Sequence, residues 1–226
     1  MTILNALTSD QIAGLTSASI SGLTTADWAA MSSAQMQHFT TAQIRHISTA
    51  GIAALSTASL AAMETQDFAQ LTTAQLRGLS TQDMQALTTD QIQALDSTQI
   101  ASLSTAQLRG LGTDDFEALN SAHIQALTTA QFASLTTAQL RAIDSADFAA
   151  MQTADLRALG TAQIMALSTS QLGALDSGQF QSLTTAQIRA LTTEQLAALN
   201  SADLNALTTA QFAALSTAQI AGLSTS

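Results

Sequence analysis

The chain has 226 residues and a formal charge of −10, with no proline, cysteine, lysine or tyrosine. That acidity excludes nucleic acid and anionic membrane as partners, since nothing would neutralise phosphates, and the missing thiols exclude disulfides and thiolate metal sites. Hydrophobic residues make up 46% of the chain and recur at fixed intervals, which excludes disorder and points to a repetitive architecture.

The opening Met1-Thr2-Ile3-Leu4-Asn5-Ala6 lacks the basic segment and long apolar core of a cleaved signal peptide. If the protein is exported, the expectation is a route without such a signal. Farther on, Ser, Thr, Gln or Asp interrupts every apolar stretch within a few residues, so no transmembrane segment is expected.

From Leu7 onward the register is eight residues, without insertion or deletion, to Leu223. Numbering each octad from its first apolar residue, slot one runs Leu7, Leu15, Leu23, Met31, Phe39 and Ile47. Slot six runs Leu4, Ile12, Ile20, Trp28, Met36 and Ile44, through Phe212 to Ile220. Slot three is Ser or Thr from Ser9 to Thr225. The consensus L-[ST]-T-A-[QD]-[LIF]-x-A is plain in Leu183-Thr184-Thr185-Ala186-Gln187-Ile188-Arg189-Ala190.

One long helix does not fit this period, because eight residues at about 100° each leave a drift of about 80° per octad and no buried stripe. A β-helix fits poorly as well: the apolar spacing is five then three, and Ala, Gln and Leu are weak strand formers. One very short helix per octad fits in detail. Slot two holds N-cap residues (Thr72, Ser80, Asp96, Gly112, Asn120, Asp144), with Glu64 and Gln152 as departures. Slot five, three residues later, is usually Gln or Asp, which makes Thr72 with Gln75 and Thr184 with Gln187 capping boxes. Slots one and six then become the two positions of a hydrophobic staple. Slot three is the rival N-cap.

Charge is sorted along each octad. All six arginines (Arg45, Arg77, Arg109, Arg141, Arg157, Arg189) sit in slot seven, and every acid except Glu117 sits in slots two, four or five. Many short macrodipoles favour that sorting. The arginines share one alternate set of octads, while Phe68, Phe116, Phe132, Phe148, Phe180 and Phe212 fill slot six of the other. The predicted fold is therefore an all-α solenoid of very short helices, one per octapeptide, forming a single continuous domain over residues 1–226. Its expected structural unit is sixteen residues, with thirty-two per coil as the alternative. Such helices hold only if stacking buries slots one and six. Ala and Gly at slots four and eight would let neighbouring backbones approach, leaving Ser, Thr, Gln and scattered charge exposed.

Candidate chemistry is thin. His38 and His46 share slot eight in adjacent octads, but a metal site needs three or four protein ligands, and His123 lies far along in another slot. Trp28 reads as a core plug. Each serine and threonine has near-identical copies elsewhere and a use as a cap, whereas a nucleophile needs a base and an orienting third group. Asp114-Asp115 reads as a helix start, with no calcium loop around it. The expectation is no enzyme, and no catalytic, cofactor-binding or metal residues.

The octads resemble the Leu-Thr-Thr-Ala-Gln-Ile/Leu arrays of large bacterial secreted or surface proteins, described as adhesin-like, haemolysin-type or haem-utilisation proteins, over essentially the whole chain. That resemblance implies an extracellular or cell-surface setting and a structural role, and no activity. The last octad, Leu215 to Gly222, is as typical as any interior copy, and the first ones carry no distinct cap. Uncapped apolar ends point to head-to-tail assembly. The leading expectation is a self-associating extracellular filament or matrix subunit, or an adhesin spacer, whose partner is itself, head to tail, with other surface proteins as a secondary partner. The alternatives are an α-solenoid scaffold displaying slots two, five and seven to a protein, and an ice-binding array of threonines.

Overall fold

A computed structural model describes residues 4–223 of the chain, so Met1, Thr2, Ile3 and Thr225 lie outside the described residues. Among the described residues there are 27 α-helices of four to seven residues, one short 3-10 turn at Leu4–Ala6 and no strand. Each octad from Leu7 contributes one helix.

The consensus octad shows why. Slot two is the N-cap: Thr184 is extended, at φ −74° and ψ 157°. Its hydroxyl accepts the Gln187 N–H at 3.2 Å, and its own N–H donates to Gln187 Oε1 at 2.8 Å. Slot two is thus the cap, and slot three is the first helical residue. Glu64 and Gln152, the departures noted in the sequence, make no side-chain cap bond. The helix Thr185–Ala190 ends at Leu191, which is extended at φ −58° and ψ 136° and donates its N–H to Ile188 O at 3.2 Å. Thr192, also extended, then caps the next helix. At this junction two extended residues link the helices, whereas the helix Thr193–Ala197 first passes through Ala198 at φ −83° and ψ −10°. Among the described residues no backbone takes a positive φ, so the turns need no glycine.

The chain forms two compact units, Met1–Ala118 and Leu119–Ser226. Within the first, helices pack three octads apart: Thr49–Ala54 against Thr73–Gly78, and Thr81–Ala86 against Thr105–Gly110. The second repeats the rule, with Thr129–Ser134 against Thr153–Ala158 and Thr193–Ala197 against Thr217–Leu223. Each unit is a solenoid of short helices stacked coil on coil.

Burial follows the slots. Slot six is fully covered in the interior (Ile44, Phe68, Phe116, Phe132 and Phe180 at 0%), and slot one nearly so. Slot eight faces the coil behind. A methyl group built on Gly78 would lie 2.8 Å from Thr49 Cγ2, and one on Gly110 would lie 3.0 Å from Thr81 O. Slot four, expected to share that role, instead faces solvent, as Ala58 and Ala186 show.

Candidate functional site

The most built feature of the surface and interior is the slot-five ladder. Sequence reasoning places slot five outside, on display for a partner; the structure buries it. Gln75 is 2% exposed and uses its whole amide. Its Oε1 accepts from the Thr72 N–H at 2.7 Å and hydroxyl at 3.0 Å. Its Nε2 donates to Ile44 O at 2.9 Å and Ile47 O at 2.7 Å, 31 and 28 residues back. One side chain therefore closes its own helix start and satisfies carbonyls at a helix end in the coil behind. The first unit repeats this at Gln91 with Leu60 and Met63, and at Gln107 with Leu76 and Leu79. The second repeats it at Gln163 with Phe132 and Leu135, and at Gln187 with Leu156 and Leu159. The correction has a physical reason. The amide has a second end, and the residues it bonds are remote in sequence.

These offsets also define the coil. A slot-five amide lies over the junction between the third and fourth octads behind it, so a coil takes between three and four octads. The alternation of Arg and Phe octads is a feature of the sequence that this offset does not explain.

At four of the seven slot-five aspartates the bonding reverses. Asp has no donor, and it accepts instead from a slot-three hydroxyl 26 residues back: Thr41 to Asp67 Oδ1 at 2.6 Å, Thr89 to Asp115 at 3.3 Å, and Thr129 to Asp155 at 2.7 Å. Ser121 donates to Asp147 in the same way. Burial pushes the Asp67 carboxyl above its usual range; the Thr41 hydroxyl opposes the rise and Glu64 adds to it. Burial likewise raises Asp115, against the Gly112 N–H and the Thr89 hydroxyl and together with Asp114. These slot-three hydroxyls are the ones an ice-binding lattice would need outside, and here they point along the stack.

Trp28 is the core plug that the sequence suggests, fully buried and tilted against Phe39 at 5.5 Å between ring centroids. Its Nε1 has no hydrogen-bond partner. The room for it comes from Gly51, the slot-five residue 23 positions on. A methyl group there would stand 2.7 Å from Trp28 Nε1. Glycine replaces the usual glutamine because the indole occupies that space.

His38 and His46 are both exposed, whereas His123 is buried in slot five, where its Nδ1 faces the Asn120 N–H at 3.4 Å. Among the described residues no group of three His, Asp or Glu side chains converges as a metal site would require. Nor is any helix among them long and apolar enough to cross a membrane. The recesses on the surface are open grooves of similar make. One of about 480 Å3 is lined by Arg109, Thr89, Asp114 and Asp115, and one of about 270 Å3 by Arg45, Gln70 and Asp96. In the second unit a groove of about 310 Å3 holds Arg141, Met165 and Glu194. Each takes a slot-seven arginine, and Arg77 shows the reach of that slot, its Nε donating to Ser102 O at 2.9 Å.

Comparison with known proteins matches this pattern at the level of the repeat. No curated protein matches the chain. The family model described as the ALTTAQ repeat matches seven times, at residues 4–41, 29–63, 60–97, 92–129, 148–185, 174–209 and 196–226. With its octads capped at slot two, stapled at slots one and six and bridged at slot five, the chain belongs to the ALTTAQ repeat family.

Proposed function

We propose that this chain is a non-enzymatic structural array that associates with copies of itself, as a filament or matrix subunit or a spacer in an extracellular or cell-surface setting. The observation that carries the reading is the slot-five bridge, which repeats one coil-to-coil interface at Gln75, Gln91 and Gln107 and again at Gln163 and Gln187. An interface that recurs unchanged from coil to coil is what an array built for length and self-association needs. The hydroxyls support a role without catalysis, since those of slot two cap helices and several of slot three bind aspartate. The setting rests on the resemblance to arrays of large bacterial surface proteins, and cell fractionation with surface proteolysis checks it.

Sedimentation and negative-stain microscopy of the purified chain over a concentration series test the association. Particles of constant width should grow in length as concentration rises. A monodisperse monomer at high concentration overturns the reading.

A second reading, a scaffold for a protein partner, is favoured by the arginine-lined grooves at Arg45, Arg109 and Arg141. It expects saturable binding of an acidic protein that is lost when these three arginines are replaced, with the fold retained.

A further inference from the structure

We infer that the second unit docks an acidic, extended segment of a protein partner along three stacked helices, with Arg141 and Arg189 taking two carboxylates and Met165 taking an apolar side chain between them. The inference rests on the scaffold reading and adds to it the site, the chemistry of the partner and its spacing.

Met165 departs from its slot. Elsewhere slot seven holds Ala, Ser, Gln, Arg, Glu, Asn or Gly, and Met165 is its one large apolar side chain. It is 55% exposed. A lone exposed apolar residue is ordinary; its setting here is not. Helices three octads apart stack, so the slot-seven residues three octads before and three octads after Met165 are its neighbours along the row. They are Arg141 and Arg189. Their helices, Thr137–Ala142 and Thr185–Ala190, each pack against Thr161–Ala166, which carries Met165. All three side chains are exposed.

The row presents its charge unspent. In the first unit Arg45 donates to Gln70 Oε1 and Arg77 to Ser102 O, each in the following coil. Among the described residues no such bond holds Arg141 or Arg189. Arg141 and Met165 already line one groove of about 310 Å3. A guanidinium suits a carboxylate through paired N–H donors, and a methionine adapts to apolar groups of varied shape. Stacked helices lie about 8–10 Å apart, which sets the two arginines about 16–20 Å apart. An extended strand rising about 3.3 Å per residue covers that distance in about six residues. The occupant that fits is a segment with acids about six positions apart and an apolar residue midway. Glu194 borders the same groove and works against an acidic occupant, so its neutralisation should strengthen binding.

The test uses the full chain and two fluorescein-labelled peptides of one composition, read by fluorescence anisotropy at low salt. In the first, two aspartates stand about six positions apart with a leucine midway and glycine and serine elsewhere; in the second, both aspartates flank the leucine directly. The first should bind saturably and about fivefold more tightly than the second, and its affinity should fall as salt rises. Arg141→Gln and Arg189→Gln should each weaken it about fivefold, and Met165→Ala by a similar factor. Glu194→Gln should tighten it, and Arg157→Gln, outside the row, should leave it unchanged. All these positions are exposed, so far-UV circular dichroism should stay that of the parent. Equal binding of the two peptides, or binding untouched by Arg141→Gln with Arg189→Gln, overturns the inference. Binding lost instead on Arg45→Gln with Arg109→Gln also overturns it and leaves the scaffold reading standing. A chain that binds neither peptide overturns it as well, whereas the scaffold reading falls only if the parent chain retains no acidic protein. Self-association abolished by Met165→Ala with Arg141→Gln would make a second copy the occupant and overturn the assignment to a partner protein.

Discussion

Replacing Gln187 with glutamate changes one amide nitrogen to oxygen in a side chain that is 3% exposed. The acceptor half survives, so the Thr184 N–H at 2.8 Å and hydroxyl at 3.1 Å keep their partner and the helix start is intact. The donor half is lost. Leu156 O, bonded at 2.7 Å, retains the Leu159 N–H at 3.2 Å, whereas the bond to Leu159 O at 2.8 Å has no such substitute in the ladder. A buried carbonyl stripped of its donor costs about 1–3 kcal/mol. Taking the low end for Leu156 and the high end for Leu159 gives a loss of about 4 kcal/mol at neutral pH. Burial and two facing carbonyls raise the folded-state pKa of the new carboxyl above its unfolded value of about 4.3. A raised folded pKa means that this group's contribution is fully present below the unfolded pKa and lost as pH rises through the folded one. Once protonated, the group regains one O–H donor, so the deficit should shrink in acid by roughly half. Urea unfolding followed by circular dichroism from pH 7 to pH 4 measures both quantities. Amide exchange in the helices Thr153–Ala158 and Thr185–Ala190 locates the loss, since coupling in a stacked array is mostly between neighbours. Gln187→Leu, which removes both halves of the motif, is the pH-independent control. If Gln187→Glu matches the parent chain at pH 7, or its deficit does not respond to pH, the bridging role assigned to slot five is wrong.

Truncation of slot six should depend on coverage alone. Phe132→Ala should cost about 3–5 kcal/mol, and Phe212→Ala about half of that or less, in melts at concentrations where the chain is monomeric; equal losses would contradict the burial pattern. Gly51→Ala drives a methyl group to within 2.7 Å of the indole and should destabilise by about 1–3 kcal/mol through overpacking. Trp28→Leu in the same chain should relieve the Gly51→Ala loss, so a double-mutant cycle that comes out additive would refute the steric link. Asp67 and Asp115, both raised in the fold, add stability below the ordinary aspartate range and lose it as pH rises through their folded values. The unfolding free energy of the parent relative to Asp67→Asn with Asp115→Asn should therefore increase on acidification, and a flat or falling difference would reverse the sign assigned to them.

The parts of this fold that are legible in the sequence are those whose cause lies inside one octad. Slot two reads as a cap because Thr184 and Gln187 are three residues apart, and slots one and six read as core because Leu183 and Ile188 form a staple across one helix start. The coil is harder to see. A strict eight-residue register looks the same whichever whole number of octads makes a turn, and the bridge from Gln187 to Leu159 lies 28 residues away. A signal was present in slot five nonetheless. A position read as exposed should tolerate glutamate, which caps as well as glutamine does, yet slot five holds Gln, Asp, Ser, His and Gly and never Glu, although Glu occurs at 64, 117 and 194. Glutamate is long enough to reach the carbonyls behind and has nothing to donate to them; aspartate falls short of them, and at Asp67, Asp115, Asp147 and Asp155 takes a hydroxyl instead. The glycine exception was traceable too, since Gly51 and Trp28 are each unusual in their slot. The coverage of slot six could not be read this way, because slot six looks alike in every octad, yet Phe132 is fully buried and Phe212 is 48% exposed.

The division of labour among the slots bears on what the array can do. Slots one, two, five and six carry the caps, the staple and the bridge, so changes there act on folding. Slots four and seven face outward and vary widely: slot four ranges from Ala58 to Asp90 and Glu194, and slot seven from Ala53 to Arg141 and Met165. Surface chemistry can therefore change octad by octad while the stacking rule stays fixed. The constraint recurs every eight residues and serves to lay one coil on the next. Lengthening such a stack adds the same interface each time, with energetics set by neighbouring coils. The spacer or filament role proposed above needs that property.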